Sequence, residues 1–382
     1  MKHTSYIELS KSALKTNIDF IQKILGNTTF SSVVKGNAYG HGIHSFCPLV
    51  YENGVRHYSV FGADEAYEVL SCIPNDITLM IMGQIENQQL EWAIENGVEF
   101  FVFEQDRLNA TIEVAKKLQK PANIHLEIET GMNRTGFDVK KLKNVFQQLE
   151  KNRDNVQVKG VCSHLAGAES ISNYKRIKDQ QAKFQRAQKL ITSLGWKELS
   201  YHLACSAASI QYPKTQLDLA RVGILQYGFF PNNEVLVQYL TKNKTVENPL
   251  KRVISWKTKV MATKEVKPGE FIGYGTSFFS SKMTKIALIP VGYSDGFSRS
   301  LSNHGKVLIR GERFDVIGIV NMNMMAVDIT ENTSIEKGDE VVLIGNQGDL
   351  EITVSSFSDF SALVNYELLT RLPANIHRKI VE

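Results

Sequence analysis

The residues best placed to do chemistry lie in one stretch, Ser32-Val33-Val34-Lys35-Gly36-Asn37-Ala38-Tyr39-Gly40-His41-Gly42. Val33 and Val34 favour an extended run. Gly36, Gly40 and Gly42 end it and free the backbone. A lysine at the mouth of a buried strand is partly desolvated. Desolvation disfavours the charged form, so the amine becomes a usable nucleophile and base. The glycines let the following backbone approach an anion, and Tyr39 adds an aromatic face with a hydroxyl. The stretch therefore fits a Schiff-base lysine beside a phosphate-sized pocket. It also fits an ordinary strand-to-loop turn with a solvated lysine, which pattern alone favours.

Other candidates follow later strands. Arg134 lies in the glycine-flanked run Thr130-Gly131-Met132-Asn133-Arg134-Thr135-Gly136-Phe137, where a guanidinium can hold a carboxylate through two bonds. A surface arginine after a turn is the commoner occurrence. His164 closes Cys162-Ser163-His164, and a lone histidine there is more often a structural hydrogen-bonder. Ser206 in Ala204–Ala208 reads equally as a helix N-cap. Arg221-Val222-Gly223-Ile224 comes late, where barrels of alternating strands and helices often bind phosphate. Gly273-Tyr274-Gly275 is a tight turn carrying an aromatic ring. Gly292-Tyr293 and Asn321-Met322-Asn323-Met324 are further turn-like runs.

The elements that must position these residues form two series. Short β-rich runs at Ser32–Lys35, His57–Phe61, Thr78–Met82, Val98–Phe103, Asn123–Ile128, Val156–Ser163, Ser200–Leu203 and Asp218–Val222 alternate with amphipathic stretches of helical length. Parallel strands need such crossovers, so eight of them predict an α/β fold with an eight-stranded (β/α) barrel. After Asn232 the rhythm changes. From Val253 the runs are strand-like and punctuated by glycine, which predicts a C-terminal all-β domain. The expected division is residues 1–235 for the barrel and 236–382 for the β domain, with a first strand at 5–9 free to pack with the latter.

Composition narrows the function classes. The chain has 382 residues, 43% hydrophobic and 22% charged, ample for a large core in more than one domain. The net charge of +4 is mild and spread out, so neither nucleic acid nor a membrane surface is expected as partner. No run is apolar enough to span a membrane, and Met1 to Ser10 has no signal-peptide pattern. The four cysteines show no CxxC spacing and read as reduced thiols in a cytoplasmic protein. No metal site is expected.

Val33-Val34-Lys35-Gly36-Asn37-Ala38-Tyr39-Gly40-His41-Gly42 resembles the pyridoxal-phosphate lysine motif of the alanine racemase family, a fold type III family, and the resemblance continues in order along the chain. It implies pyridoxal 5'-phosphate carried on Lys35. It implies phosphate contacts from Tyr39, Ser206, Gly223 and Ile224, and His164 against the cofactor ring. Arg221 falls on the arginine that faces the pyridine nitrogen. Its permanent charge would leave that nitrogen unprotonated and make the ring a weaker electron sink. Arg134 is similar to the residue that meets the cofactor's phenolic oxygen and the substrate carboxylate. Tyr274 matches the second catalytic base, opposite Lys35. Tyr293 and Met322 match substrate-proximal positions.

The implied activity is racemisation of alanine by two bases, which places the chain in D-alanine supply for the cell wall. It further implies a head-to-tail homodimer with shared active sites. A broad-specificity or polar amino-acid racemase, or a non-catalytic pyridoxal-phosphate homeostasis protein, are alternatives. The last class resembles the barrel alone. Four departures from the family pattern stand out. Glu127 stands where many members carry a carbamylated lysine that pairs with the arginine matched by Arg134. Cys205 and Asn323 replace a common asparagine and aspartate. The run around Ala374 lacks an aromatic that often reaches the phosphate.

Overall fold

β-branched and aromatic residues concentrate in short runs that form strands where expected, with edges shifted by one to three residues. The computed structural model describes residues 3–357 and 365–382. The first strand, β1 (Ser5–Ser10), is followed by the amphipathic helix Lys11–Leu25. Then come β2 (Thr29–Val33), β3 (His57–Val60), β4 (Thr78–Ile81), β5 (Glu99–Val102), β6 (Ala122–Glu129), the two-residue β7 (Phe137–Asp138), β8 (Val156–Cys162), β9 (Ser200–His202) and β10 (Leu219–Val222). Their order is β10-β2-β3-β4-β5-β6-β8-β9, all parallel, with β7 beside β6. A parallel bridge between Cys205 and Arg221 brings the outer strands together and nearly closes the barrel. The eight-stranded barrel is thus present, with helices between its strands as a parallel sheet requires.

β2 differs from expectation. It spans Thr29–Val33 rather than Ser32–Lys35, because the backbone turns left-handed immediately after Lys35. A helix at Asn233–Asn243 also lies where none is predicted. Its N-cap is Asn232, whose side chain accepts from the Val235 N–H at 3.0 Å.

The remaining strands are β11 (Ile254–Lys259), β12 (Ala262–Val266), β13 (Thr284–Ile289), β14 (Lys306–Ile309), β15 (Glu312–Ile317), β16 (Met325–Asp328), β17 (Glu340–Gln347), β18 (Leu350–Ile352) and β19 (His377–Val381). They form a second sheet in the order β12-β13-β16-β15-β14-β17-β11-β1-β19, with β18 on β17. All pairings are antiparallel except β1 with β19. β1 sits between β11 and β19, with Ile7 opposite both Trp256 and Arg378. Trp256 and Ile7 are fully buried in this core.

The chain divides into two units. The barrel unit holds Ala13–Lys35 and Cys47–Lys251; the β unit holds Met1–Ser12, Gly36–Phe46 and Arg252–Glu382. The glycine-rich loop after Lys35 thus belongs to the β unit. Within that unit, the helix Asn365–Thr370 presses on the loop closely. A Cβ at Gly40 would lie 1.8 Å from the Leu369 carbonyl oxygen. From β19, Arg378 donates to the Gly40 carbonyl at 2.8 Å and to the Pro373 carbonyl at 2.8 Å.

Gly40 therefore has two reasons to be glycine, a φ of +78° and no room for a side chain. Gly40→Ala should cost about 3 kcal/mol through overpacking. That would lower the thermal midpoint by roughly 5–10 °C. A melting curve superimposable on the unsubstituted protein's would contradict this packing.

Candidate active site

The end of β2 is fixed before Lys35 begins. The Val33 carbonyl accepts from Gln226 Nε2 at 2.9 Å and from the Tyr227 hydroxyl at 3.0 Å. The Ser32 hydroxyl donates to Gln226 Oε1 at 2.7 Å, and the Val34 N–H continues the ladder to Ser59 at 2.9 Å. These bonds aim Lys35 into the barrel mouth. Desolvation there lowers its pKa from the ordinary value. Its side chain is accessible in the single chain, so that desolvation is partial. The Arg134 and Arg221 charges push the same way, and Glu65 opposes them. The amine is thereby brought closer to the neutral form that nucleophilic attack requires.

The next five residues, Gly36 to Gly40, all have positive φ. Tyr39, half-buried, lies on this left-handed turn. In the barrel unit, the loop carrying Arg134 folds around Glu129, whose carboxylate accepts from the N–H groups of Gly131, Asn133 (2.8 Å) and Arg134 (3.4 Å). Arg134 itself is exposed. Glu127 is buried at the end of β6, and burial raises its carboxyl above the usual range. Its side-chain hydrogen bond is to Thr135. Arg221 and Arg134 act on it through charge, and among the described residues no ion pair joins it to Arg134.

The buried Gln180, from the helix Tyr174–Ser193, holds the His164 loop. It donates to the His164 carbonyl at 2.8 Å and accepts from the Ala166 N–H at 2.8 Å. Burial, then Arg221, Arg134 and Lys35, push the His164 pKa down to about 3. The Ser206 hydroxyl accepts from the Gly223 N–H at 3.0 Å, which joins two of the candidate phosphate positions. Ile224 opens a short 3₁₀ turn, whose first N–H groups have no partner within the turn.

Arg221 is buried in β10. It donates to the Ser163 carbonyl at 2.7 Å, to the His202 carbonyl at 3.2 Å and to His202 Nδ1. His202 is not among the sequence candidates. Nor are Glu99 and His125, which continue from it inside the barrel. A buried-strand position occupied by an ionisable residue was the available signal, since such a group needs a partner.

In the β unit, three candidates share one rim. Tyr274 stands on a loop tied by the Ile272 N–H to the Phe278 carbonyl at 3.0 Å. The same loop lies against Gly318, where a Cβ would meet the Ile272 carbonyl oxygen at 2.6 Å. The N–H groups of Tyr293 and Ser294 bond the carbonyls of Asn321 and Met322, each at 3.0 Å. Tyr274, Tyr293 and Met322 are 72%, 45% and 56% exposed, so all three face outward in the single chain.

A cavity of about 560 Å³ lined by Ile24, Ile210, Pro213, Val237 and Tyr239 contains none of these candidates. Among the described residues no cluster of three histidine, cysteine or acidic side chains is arranged to hold a metal ion.

A nearly closed parallel barrel with a lysine of lowered pKa at its mouth, cations around it and backbone donors at its last strand describes a lysine-centred cofactor enzyme. The family profile described as alanine racemase, N-terminal domain, matches residues 9–231, and that of the C-terminal domain matches residues 253–380. The alanine racemase of Leptospira interrogans is 33% identical over 383 residues, covering 100% of this chain and 96% of that protein. The alanine racemase structure from Clostridium difficile 630 superposes with a TM-score of 0.90 at 26% identity, covering 100% of this chain and 96% of that one. The alanine racemase structure from Bartonella henselae, with covalently bound pyridoxal phosphate, superposes at 0.84 and 25% identity, covering 100% of both chains. The chain belongs to the alanine racemase family, whose members are pyridoxal-phosphate isomerases.

The barrel's histidines set its acid stability. His57 and His164 are held at about 4 and about 3, and His202 well below 6.5, chiefly by burial. Below pH 6.5 the unfolded chain binds these protons and the folded barrel does not. Stability is therefore complete above pH 6.5 and falls with pH below it, by about 1.4 kcal/mol per pH unit for each histidine. The urea midpoint of the apoprotein should drop progressively from pH 7 to pH 5. A flat profile would show that these rings take up protons in the fold.

Proposed function

We propose that the chain interconverts L- and D-alanine with pyridoxal 5'-phosphate, using Lys35 and Tyr274 as two proton-transferring groups for opposite faces of the substrate Cα. The observation that carries this reading is Lys35 at the end of a barrel strand, its basicity lowered by burial and by the Arg134 and Arg221 guanidinium groups. The family match across both halves supports it, and the match at residues 253–380 weighs against a homeostasis protein built on the barrel alone.

The residues present fit the cofactor. The joined Ser206 and Gly223, the start of the turn at Ile224, and Tyr39 would hold the phosphate. Lys35 would carry the cofactor, His164 would lie against its ring, and Arg221 would face the ring nitrogen. The cofactor, when bound, supplies delocalisation of the charge left as Cα loses its proton. Arg134 and the Met322 N–H orient the substrate carboxylate, and Tyr293 borders the entrance. Lys35 and Tyr274 each hold or return a proton at Cα, because one group cannot reach both faces. A second reading, a racemase that also accepts polar side chains, draws on Asn323, whose amide donates to the Ser294 hydroxyl at 2.7 Å beside Met322.

The exposure of Tyr274, Tyr293 and Met322 in the single chain supports a homodimer in which this rim is covered by a second barrel. A cytoplasmic location accords with four free thiols. No described helix is long and apolar enough to cross a membrane.

Chiral chromatography of the purified protein with pyridoxal phosphate and a panel of L-amino acids should show D-alanine accumulating. D-serine or another polar product at a comparable rate would favour the second reading. Borohydride should fix the cofactor to the Lys35 peptide. Tyr274→Phe should slow racemisation by roughly 10²–10⁴-fold while leaving that label in place. A label on another lysine would remove the basis of the assignment.

Subunit exchange tests the shared site. Lys35→Ala and Tyr274→Phe proteins, each inactive alone, should regain activity when mixed under exchanging conditions. One site of each heterodimer would then hold both intact groups, giving roughly half of wild-type activity per heterodimer. Proven exchange without any recovery would mean that each site is built within one chain.

A further inference from the structure

Four ionisable side chains from four barrel strands form one continuous string of hydrogen bonds. Glu99 (β5), His125 (β6), His202 (β9) and Arg221 (β10) are all less than one-tenth exposed. Glu99 Oε2 lies 2.7 Å from His125 Nε2, and His125 Nδ1 lies 2.8 Å from His202 Nε2. His202 Nδ1 meets Arg221 Nη1.

The local fold makes room for this string. A register shift between β6 and β8 falls between Ile124 and His125, and such an irregularity re-aims a side chain. Between β6 and β9 lies β8, where Gly160 leaves a gap: a Cβ there would sit 2.6 Å from His125 Nδ1. Phe101 walls the path, its ring 6.2 Å from that of His125 and 5.8 Å from that of His202, with the Arg221 guanidinium 5.9 Å away.

The two ends fix the direction of every bond between them. An arginine only donates, so His202 Nδ1 must accept. Nε2 of His202 then carries the proton and donates to His125 Nδ1. His125 therefore carries its proton on Nε2 and donates it to the Glu99 carboxylate. The reverse order would set two donors face to face at Arg221 and leave the carboxylate opposite a lone pair. Among the described residues no carboxylate forms an ion pair with Arg221, and Glu99 at the far end carries the opposite charge.

Other charged groups face the string as well. His57 of β3 and Lys159 of β8 act on Glu99, and Lys35, Arg134 and Glu127 lie around the mouth near Arg221. His57 bonds separately to the Ser31 hydroxyl at 2.9 Å.

We propose that Glu99, His125 and His202 are positioning residues for Arg221: the charged ends lock both imidazoles as neutral Nε2–H tautomers, and the locked string orients the guanidinium that the mouth presents to its ligand. The catalytic consequence rests on the racemase reading, in which Arg221 faces the cofactor ring.

Nitrogen-15 spectra of histidine-labelled holoprotein test the string without turnover. His125 and His202 should both show the neutral Nε2–H pattern from pH 6 to pH 8. A protonated Nδ1 or an imidazolium at either ring would overturn the proposal. Glu99→Gln keeps an acceptor but removes the charge. It should lower kcat by about 10-fold with KM nearly unchanged and shift the visible absorption band of the bound cofactor. Ser31→Ala, which removes the separate His57 bond and a bond to the Ser59 hydroxyl but touches no member of the string, should leave both unchanged. An unaltered band and kcat in Glu99→Gln, or an equal change in Ser31→Ala, would sink the idea. Locked tautomers in a protein that racemises nothing would uphold the string and reject the racemase reading instead.

Discussion

The arrangement at Lys35 depends on a stretch of left-handed backbone. From Gly36 to Gly40, φ runs 63, 52, 53, 50 and 78°. The two glycines adopt this without steric cost. Asn37, Ala38 and Tyr39 do not, and each costs roughly 1–2 kcal/mol, the asparagine least. Bonds inside the turn offset part of that. The Gly40 N–H reaches Gly36 at 3.0 Å, the Gly42 N–H reaches Asn37 at 2.9 Å, and the Asn37 side chain accepts from the Ile43 N–H at 2.9 Å. The rest comes from residues over 300 positions later, through Leu369 packed on Gly40 and Arg378 bonded to its carbonyl. The end of the chain therefore holds the loop that follows the catalytic candidate.

Charge organises the barrel mouth in one direction. The Arg134 and Arg221 charges disfavour a further proton on their neighbours, and the effect appears both in Lys35 and in His164. Burial disfavours the charged form of Glu127 and raises its pKa, and Thr135 and the two arginines oppose that shift. The balance leaves the mouth short of anions, which suits a phosphate or a carboxylate. Glu127 thus does not pair with Arg134 alone. Hydrogen-bonded to Thr135, it stands within electrostatic reach of two arginines and serves as a shared counter-charge rather than a dedicated partner.

Most strands were legible because each holds a short group of β-branched, aromatic or aliphatic residues bounded by turn signals, as Leu79-Met80-Ile81 and Phe100-Phe101-Val102 do. What escaped has physical causes. β19 is His377-Arg378-Lys379-Ile380-Val381, an edge strand whose charged residues hide its pairing with β1. The helix Asn233–Asn243 follows the last barrel strand, outside the strand–helix alternation, and its Asn232 cap marks its start. The Lys35, Arg134, Ser206 and Arg221 candidates were visible through their glycine-flanked or strand-end settings. Glu99, His125 and His202 were not, since they lie on three different strands and no motif marks any of them. Their meaning appears only when β5, β6, β9 and β10 close into one interior.

That interior shows why distance between opposite charges can be useful. A carboxylate touching Arg221 would neutralise it, but would also turn its donors away from the mouth. Bidentate pairing fixes a guanidinium toward its carboxylate. Placing the carboxylate two imidazoles away weakens the direct attraction, which falls with separation. Direction is kept, because each ring can pass on only one sense of donation. The cost is a barrel core that must house four polar side chains, and Gly160 and the β6–β8 register shift are the concessions made to it. Replacing the string with apolar residues would strand a permanent cation in the core, a far larger penalty than the packing it disturbs. The arginine at the mouth and the glutamate across the barrel are thus parts of one electrostatic solution, linked through the two imidazoles between them.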